Sequence, residues 1–533
     1  MFKKSNNIFF LILIVCFAIY GASLGFTFLS WDDDVNIFRN VWMETEGLSA
    51  FWLHSYYGLY IPVTFTVWKI LALGQIMPLS WACHLFNIVF HCINSFLVFQ
   101  ILQIILDRHG VQKVEKMRPA LAGALIFAVH PLQVETVAWA SGMRDLLGAT
   151  FSLIAVYIFL RNSSLKSNLL ATGLFFFGML SKPSIISVPA GILVGSFFLC
   201  REQIKKQFKR LIPWFVVSLP LIYVTKMAQG YAQAPDTPLW QRPLVAIDAL
   251  GFYLVKLVLP FNLGPDYGRK PQWVLENQTY FLTGLIVFVL VIFLLTRKNK
   301  DSRILNGGFF SSAALLLPVL GLIPFAFQHT STVADHYMYL PMFGVSLFIA
   351  QIVSSFADLN PKNRGQNWGG GLIIGGLAIT SISTSLHWKD DRAFFAHMLK
   401  INPTGVGALN AMSNFATQDG DLELAAKLAK KASDIFPENA VTFANYAIAL
   451  GRLKKDKEIL ETVAPRLPPD EMILANKEAW AYFSSFYSVI AGAQFHSGQT
   501  QKAIISLCRS MDLDPQNPDA VLMVKEHNIT CKK

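Results

Sequence analysis

The sequence predicts an all-α protein: a polytopic membrane helix bundle of about eleven spans, followed by a helical repeat domain. Hydrophobic residues make up 53% of the 533 residues and charged residues only 15%, which is too apolar for a water-soluble chain of this length. The apolar residues occur in long uncharged segments, and many of the basic residues lie in the short loops between them. From about residue 390 onward these long segments stop. We therefore predict a membrane domain, residues 1–388, and a soluble domain, residues 389–533.

Eleven segments are long enough, or nearly long enough, to cross a bilayer. The first exceeds the usual core of a signal peptide and has no small-residue cleavage site, so we expect it to be retained. The apolar stretch 243–260 would put the following basic loop on the wrong side if it crossed, so we interpret it as an interfacial or re-entrant helix. The predicted spans are residues 8–29, 82–106, 119–135, 145–160, 168–180, 183–200, 211–226, 279–296, 304–327, 337–355 and 370–387.

The basic loops predict the orientation of the spans. Lys and Arg concentrate in FKK at the start, in DRHGVQKVEKMR, RNSSLKSN, REQIKKQFKR and RKNKDSR, and in the loop of Lys362 and Arg364. These loops alternate as cytoplasmic loops should, which predicts a cytoplasmic N-terminus and an extracytoplasmic soluble domain, periplasmic in a bacterial cell. Because the same loops account for much of the net charge of +11, we predict no nucleic-acid binding.

The soluble domain has the period of a helix-turn-helix repeat. Pro403 and Pro437 are 34 residues apart, and Pro469 follows 32 residues later. Between the first two prolines, small residues occupy the positions where two helices would pack, and GD marks the turn. We interpret the region as tetratricopeptide repeats that bind a partner. The six cysteines have no metal-ligand spacing, and only Cys508 and Cys531 are suited to pairing.

Polar residues of the membrane domain cluster at the ends predicted to face outward. Asp32, Asp33 and Asp34 follow the first span, where a desolvated carboxylate survives mainly in a functional, water-filled site. Lys182 and Arg144 offer fixed positive charge for a phosphate, although each could equally pair with a nearby carboxylate. Each histidine could likewise serve only to bond a neighbouring helix. The remaining candidates are Asn40, His84, Asn87, His91, His130, Glu135, Asp145, Asp266, Tyr267, Asp335, His336, Tyr337 and Tyr339.

These motifs, taken in order, resemble the transmembrane and tetratricopeptide-repeat-containing O-mannosyltransferases and their bacterial relatives, which have the GT-C fold. The resemblance rests on WDDDVNIFRN, YIPVT, HLFNIVFH, HPLQVETVAWASGMRDLLGA, LSKPSIISVP, YLVKLVLPFNLGPDY and ADHYMYLP, followed by the repeats. Two positions depart from the family pattern. Ile61 and His336 stand where that pattern often has arginine, so each removes a cation that could bind phosphate.

The resemblance implies a membrane glycosyltransferase that moves a sugar from a polyprenyl phosphate to a Ser or Thr hydroxyl of an exported protein. It implies that Asp32 or Asp33 is the catalytic base, and we favour Asp32, with Asp33 as its partner. Lys182, Arg144, His336 and His84 would bind the donor phosphate. The site-shaping residues would be Asn40, His91, His130, Glu135, Asp145, Asp266, Tyr267 and Tyr337. The motifs require no cofactor, although a divalent cation could replace one of the basic groups.

Two other functions are compatible with the sequence. The same fold could move a whole oligosaccharide, or act on a glycan or lipid acceptor. A non-enzymatic scaffold for secretion or envelope assembly would use the repeats alone, and the one-sided clustering of acids and bases argues against it. The predicted location in every case is a membrane, the inner membrane if the cell is bacterial, with membrane lipid around the spans.

Overall fold

The computed structural model describes residues 2–109, 117–229, 237–297, 300–359, 364–437, 440–467, 473 and 480–531. Most of these residues are helical and none of them forms a β-strand, which confirms the predicted all-α class. The chain divides into two compact units, Met1–Phe394 and Phe395–Lys533. The assignment of these units to a catalytic and a repeat domain stays a prediction.

The first unit is a succession of apolar helices joined by short connections. Its helices are α1 (Phe2–Tyr20), α2 (Trp42–Thr45), α3 (Leu48–Leu53), α4 (Pro62–Gly74), α5 (Leu79–Arg108), α6 (Met117–Val129), α7 (Val134–Ala138), α8 (Met143–Arg161), α9 (Leu165–Ser181), α10 (Val188–Leu199), α11 (Ile204–Ala228), α12 (Arg242–Val258), α13 (Pro271–Glu276), α14 (Tyr280–Thr296), α15 (Lys300–Leu316), α16 (Met342–Leu359) and α17 (Arg364–Ser385). Helix α18 (Asp391–Ile401) contains the boundary between the units.

Several helices have the length and composition of membrane spans, and the chain is a multi-pass membrane protein. Five helical segments of the described chain meet both requirements, and a sixth does if the bent pair α6 and α7 is one span. Five further apolar helices of 10–17 residues are shorter than a bilayer crossing usually needs. Each of the eleven predicted segments overlaps a helix, while the number of spans stays a prediction.

Proline residues end two helices earlier than the sequence predicts. The predicted span 119–135 breaks after Val129, and the chain bends by 52° before continuing into α7. Pro131 lies at this break, and Pro318 lies just after the end of α15, inside the predicted span 304–327. Because proline has no N–H to donate and its ring clashes with the preceding turn, a continuous helix through either position is unfavourable.

Helices α15 and α16 pack backbone to backbone through glycine. A Cβ atom on Gly344 would lie 2.2 Å from the carbonyl oxygen of Gly308, so only glycine allows this approach. Small residues at such contacts are typical of helices that associate within a membrane. The tight contact fixes the segment between the two helices, which contributes His336 and Tyr337 to the site described below.

The second unit is built from amphipathic helices. Ala425, Ala429 and Ala432 form a buried stripe on one of them, at the spacing of a helix face. Cys508 and Cys531 form a disulfide, as predicted. The helices of the second unit after α18 are α19 (Val406–Gln418), α20 (Leu422–Ile435), α21 (Ala440–Arg452), α22 (Asp456–Glu458), α23 (Trp480–His496), α24 (Thr500–Leu513) and α25 (Pro518–Glu526).

Candidate active site

Asp33 anchors the acidic loop that follows α1. Its side chain is buried, and its two oxygens accept hydrogen bonds from the backbone N–H of Leu29, at 3.0 Å, and from the N–H and hydroxyl of Ser141, at 2.9 and 2.5 Å. Burial raises the pKa of Asp33 to about 7, against the opposing effect of these three bonds. Since both oxygens are engaged by the protein, Asp33 is suited to hold the loop in place rather than to contact a substrate.

Asp32, in contrast, is accessible and lies in an unusual backbone conformation. Its φ angle is +68°, in the left-handed region that few residues other than Gly, Asn and Asp adopt, and 46% of its side chain is exposed. Arg144 Nη2 donates to its Oδ2 at 3.0 Å, and the guanidinium carbon of Arg144 lies 4.8 Å from the centre of the Trp139 ring. The indole N–H of Trp139 donates in turn to the backbone oxygen of Trp31. Together these contacts hold one carboxylate oxygen of Asp32 and leave the side chain open to a ligand.

The residue after Arg144 on α8 forms the second ion pair of the site. Lys182 Nζ donates to Asp145 Oδ1, and the ammonium lies 5.9 Å from the centre of the Tyr337 ring. Burial is the main cause that lowers the pKa of Lys182 below its usual value, and the carboxylate of Asp145 opposes this shift. The other oxygen of Asp145 is buried and has no hydrogen-bond partner in the described structure. This arrangement leaves one acceptor unsatisfied beside a cation.

Glu135 and His336 form a third pair, between residues 201 positions apart in the sequence. Glu135 Oε2 accepts the backbone N–H of His336 at 2.9 Å, and Oε1 lies 2.6 Å from His336 Nδ1. Next to it, Asp335 accepts the hydroxyl of Tyr267 at 2.6 Å. The loop before α16 is therefore tied to α7 on one side and to the loop after α12 on the other.

The second and third pairs meet at a cavity. Charged and polar groups line part of it, and apolar groups line the rest. Its lining includes Asp145, Lys182, Ser184, Ser187, His336, Tyr337, Leu315 and Leu340. Because Arg144 and Asp145 are consecutive, the accessible acid Asp32 and the cavity are linked through a single turn of α8.

Five predicted site residues lie elsewhere in the first unit. His84 packs against Phe26, and neither of its ring nitrogens has a hydrogen-bond partner among the described residues. Three others bond nearby protein groups: His91 meets Tyr339 Oη and the oxygen of Ala128, His130 caps the turn at Leu132 and meets the oxygen of Leu257, and Asn40 caps the turn at Trp42. Asp266 accepts the N–H of Gly268 and shapes its own turn. The structure therefore does not bring His84 to the charged cavity.

Sequence reasoning missed two contributors to the site. Ser141 supplies two of the three donors to Asp33, and Trp139 provides the ring under Arg144. Both belong to the motif HPLQVETVAWASGMRD, yet neither ionises, and their roles depend on contacts made across the fold.

No group of three His, Cys, Asp or Glu side chains with metal-binding geometry occurs within the described residues.

Comparison with known proteins places this geometry in context. Residues 62–227 match the family model described as dolichyl-phosphate-mannose-protein mannosyltransferase. A protein O-mannosyl-transferase of Caenorhabditis elegans, F38B6.6, is 24% identical over 373 residues, which cover 65% of this chain and 49% of that protein. The mouse protein O-mannosyl-transferase TMTC3 is 20% identical over 470 residues, covering 78% of this chain and 49% of its own. The chain is a relative of the protein O-mannosyl-transferases.

The chain spans about half the length of these curated relatives. The matched residues cover 65–78% of the chain itself. Human TMTC4 matches more closely, at 30% identity, but over 165 residues that cover 27% of this chain and 21% of TMTC4. No solved structure is significantly similar to the chain. The family match includes Glu135, Arg144, Asp145 and Lys182, and it does not extend to Asp32 or His336.

Proposed function

We propose that the chain is a membrane glycosyltransferase that moves a sugar from a polyprenyl-phosphate donor to a Ser or Thr hydroxyl of an exported protein. One observation carries the proposal: a charged cavity adjoins a long apolar cavity within the same helix bundle. A ligand that fills both must have a charged head and an apolar chain. The relatives are named protein O-mannosyl-transferases. The matching family is described as dolichyl-phosphate-mannose-protein mannosyltransferase.

The apolar cavity shares Leu315 and Leu340 with the charged cavity. Residues along one face of α10 line it at helical spacing, from Val188 near Lys182 to Leu199 at the far end of the helix. At 1.5 Å per residue, this face is roughly 17 Å long. The cavity therefore suits a flexible hydrocarbon chain whose phosphate lies near Lys182.

The proposed reaction uses the carboxylate of Asp32 as general base. Asp32 takes the proton of the acceptor hydroxyl, and the hydroxyl oxygen bonds to the anomeric carbon of the sugar. The bond between that carbon and the phosphate oxygen breaks, and the polyprenyl phosphate leaves with the additional negative charge. Arg144 and Lys182 would stabilise this developing charge, and the unsatisfied oxygen of Asp145 would accept a hydroxyl of the sugar.

Direct measurement of transfer tests the proposed function. The purified full chain in lipid nanodiscs is given a polyprenyl-phosphate mannose and a Ser- and Thr-rich exported protein, and the acceptor is weighed intact. We expect the acceptor to gain the mass of one or more hexoses. An acceptor of unchanged mass, with donor consumed onto a glycan or lipid instead, would assign the alternative acceptor class.

A cavity-filling substitution tests the position of the donor chain in the same assay. Gly195 lies on α10 in the wall of the apolar cavity, and a Cβ atom there would lie 2.8 Å from Ser311 Oγ. Measured per folded molecule, Gly195→Leu should raise KM for a long-chain donor and spare a short-chain analogue. Gly173→Leu is the matched control, because Gly173 is exposed and a Cβ atom there would meet no atom within 4 Å. Equal effects of Gly195→Leu on both donors would place the chain elsewhere.

The proposed orientation puts the reaction outside the cytoplasm, at the bacterial inner membrane if the cell is bacterial. The disulfide between Cys508 and Cys531 supports this side, since structural disulfides persist in oxidising compartments. We further propose that the second unit binds the acceptor protein.

Reporter fusions test the orientation. A reporter enzyme active only outside the cytoplasm should be active when fused after Lys400 and inactive when inserted within residues 201–210. The expected contrast follows from the basic loop REQIKKQFKR, which favours the cytoplasmic side. The reverse pattern would invert the topology and move the acidic loop to the cytoplasm.

A further inference from the structure

His336 is held in a single orientation in the wall of the charged cavity. One oxygen of Glu135 accepts the backbone N–H of His336, and the other lies 2.6 Å from Nδ1. Both residues are buried, Glu135 being 2% and His336 9% exposed. When Glu135 is ionised, each of its oxygens accepts one N–H, so the ring proton of His336 lies on Nδ1 and the tautomer of the imidazole is fixed.

The other ring nitrogen is left for a ligand. No hydrogen bond engages His336 Nε2 in the described structure, and His336 lines the cavity together with Asp145 and Lys182. With the proton on Nδ1, a neutral imidazole presents a lone pair at Nε2 and cannot donate to a phosphate oxygen. It can do so only after it takes up a second proton.

The surroundings favour the neutral form while the cavity holds no anion. Burial is the main cause that lowers the pKa of His336 well below its usual value, and the cation Lys182 adds to the effect. The other charged or titratable groups that face it are Glu135 on α7, Arg144 and Asp145 on α8, Asp32 on the acidic loop, and Tyr337 beside it.

We propose that His336 takes up a proton when the phosphate of the donor enters the cavity, so that donor binding to this chain is coupled to protonation. This rests on the proposed function. The proton that binds goes to Nε2, and the resulting N–H donates to a phosphate oxygen while Nδ1–H stays on Glu135. An arginine at this position would carry its charge at all times, and no coupling would arise.

The pH dependence of donor affinity tests the proposal. The probe is polyprenyl-phosphate mannose, whose phosphodiester keeps one charge, bound to the full chain in nanodiscs between about pH 5 and pH 8, where histidine ordinarily titrates. Because binding takes up a proton, Kd should increase as pH rises between the pKa values of the empty and the occupied site. The limiting slope is about tenfold per pH unit for one proton.

Two substitutions at the same position isolate the coupling. His336→Gln keeps a polar side chain that does not titrate, so it should bind the donor weakly and lose the slope. His336→Arg should also lose the slope but bind the donor at high pH at least as tightly as the wild type. His54→Gln, which removes an exposed histidine outside the site, should keep the wild-type slope.

The possible results separate this inference from the proposed function. A wild-type protein that binds the donor with no pH slope, or a slope that persists in His336→Gln, overturns the inference and leaves the proposed function standing. A wild-type protein that fails to bind the donor at every pH overturns both. A slope present in the wild type and in His54→Gln, and absent from both His336 variants, supports the coupling.

Discussion

Replacing Asp32 by asparagine is expected to lower turnover by about 10²-fold or more, the usual contribution of a general base. Asparagine keeps the volume of the side chain, and its oxygen can still accept the hydrogen bond from Arg144 Nη2. It also tolerates the φ angle of +68° at this position, so the fold should be unaffected. The substitution removes the proton acceptor and the negative charge beside Arg144 while keeping the hydrogen bond, which predicts a decrease in kcat with little change in the affinity for the donor.

Asp34→Asn is the matched control for this substitution. Asp34 follows the anchored Asp33, and its Oδ1 accepts the N–H of the next residue, Val35, at 2.9 Å. It makes no contact with Arg144, so we expect near-normal turnover. The two purified variants are compared with a polyprenyl-phosphate sugar donor, and their amounts are corrected for the folded fraction. If Asp32→Asn turns over as fast as Asp34→Asn, then Asp32 has no role as base.

Several of the polar residues selected from the sequence lie together in the structure, but their individual pairing could not be predicted. Glu135, Arg144, Asp145 and Lys182 could be selected because ionisable groups at the ends of apolar segments are costly unless they are paired or functional. Pairing of Lys182 or Arg144 with a nearby carboxylate was one of the alternatives that the sequence left open, but the sequence did not determine the partner of each residue. Glu135 meets His336 across 201 residues of sequence, a contact that depends on the packing of α7 against the loop before α16.

The histidines of α5 show that sequence spacing alone does not predict which side chains border a cavity. His84 and His91 are seven residues apart, and a shared helix face is all that this spacing establishes. In the structure both side chains are buried: His91 forms a hydrogen bond with Tyr339, and His84 packs against Phe26. Which face of a buried helix borders a cavity is decided by its neighbours, and an apolar helix with no polar face gives no signal of it.

The prediction of where helices end was limited in a similar way. Hydropathy alone extends the third predicted span to residue 135 and the ninth to residue 327, whereas the helices break near Pro131 and Pro318. Proline is tolerated in membrane helices where neighbouring groups satisfy the freed carbonyls, so the residue by itself does not settle whether a span bends or ends. The bend after Val129 is what brings Glu135 to the site.

Gly142→Ala is expected to destabilise the first unit strongly. Gly142 closes the turn between α7 and α8, and a Cβ atom there would lie 2.0 Å from the carbonyl oxygen of Thr136 and 2.8 Å from its carbonyl carbon. Both are backbone atoms, so no side-chain rotation can relieve the overlap. The turn must open instead, at a cost of about 1–3 kcal/mol or more in the free energy of unfolding.

Opening the turn would also disable the site. Ser141, the neighbour of Gly142, supplies two of the donors that hold Asp33, and Arg144 lies in the first turn of the helix that follows. We therefore expect Gly142→Ala to lose both thermal stability in detergent and transfer activity. Gly173→Ala on α9 is the matched control, because the new methyl group meets no atom within 4 Å and alanine favours a helix over glycine by about 1 kcal/mol. If the two variants unfold at the same temperature, Gly142 is not in contact with Thr136, and the turn that presents Ser141 and Arg144 is built differently.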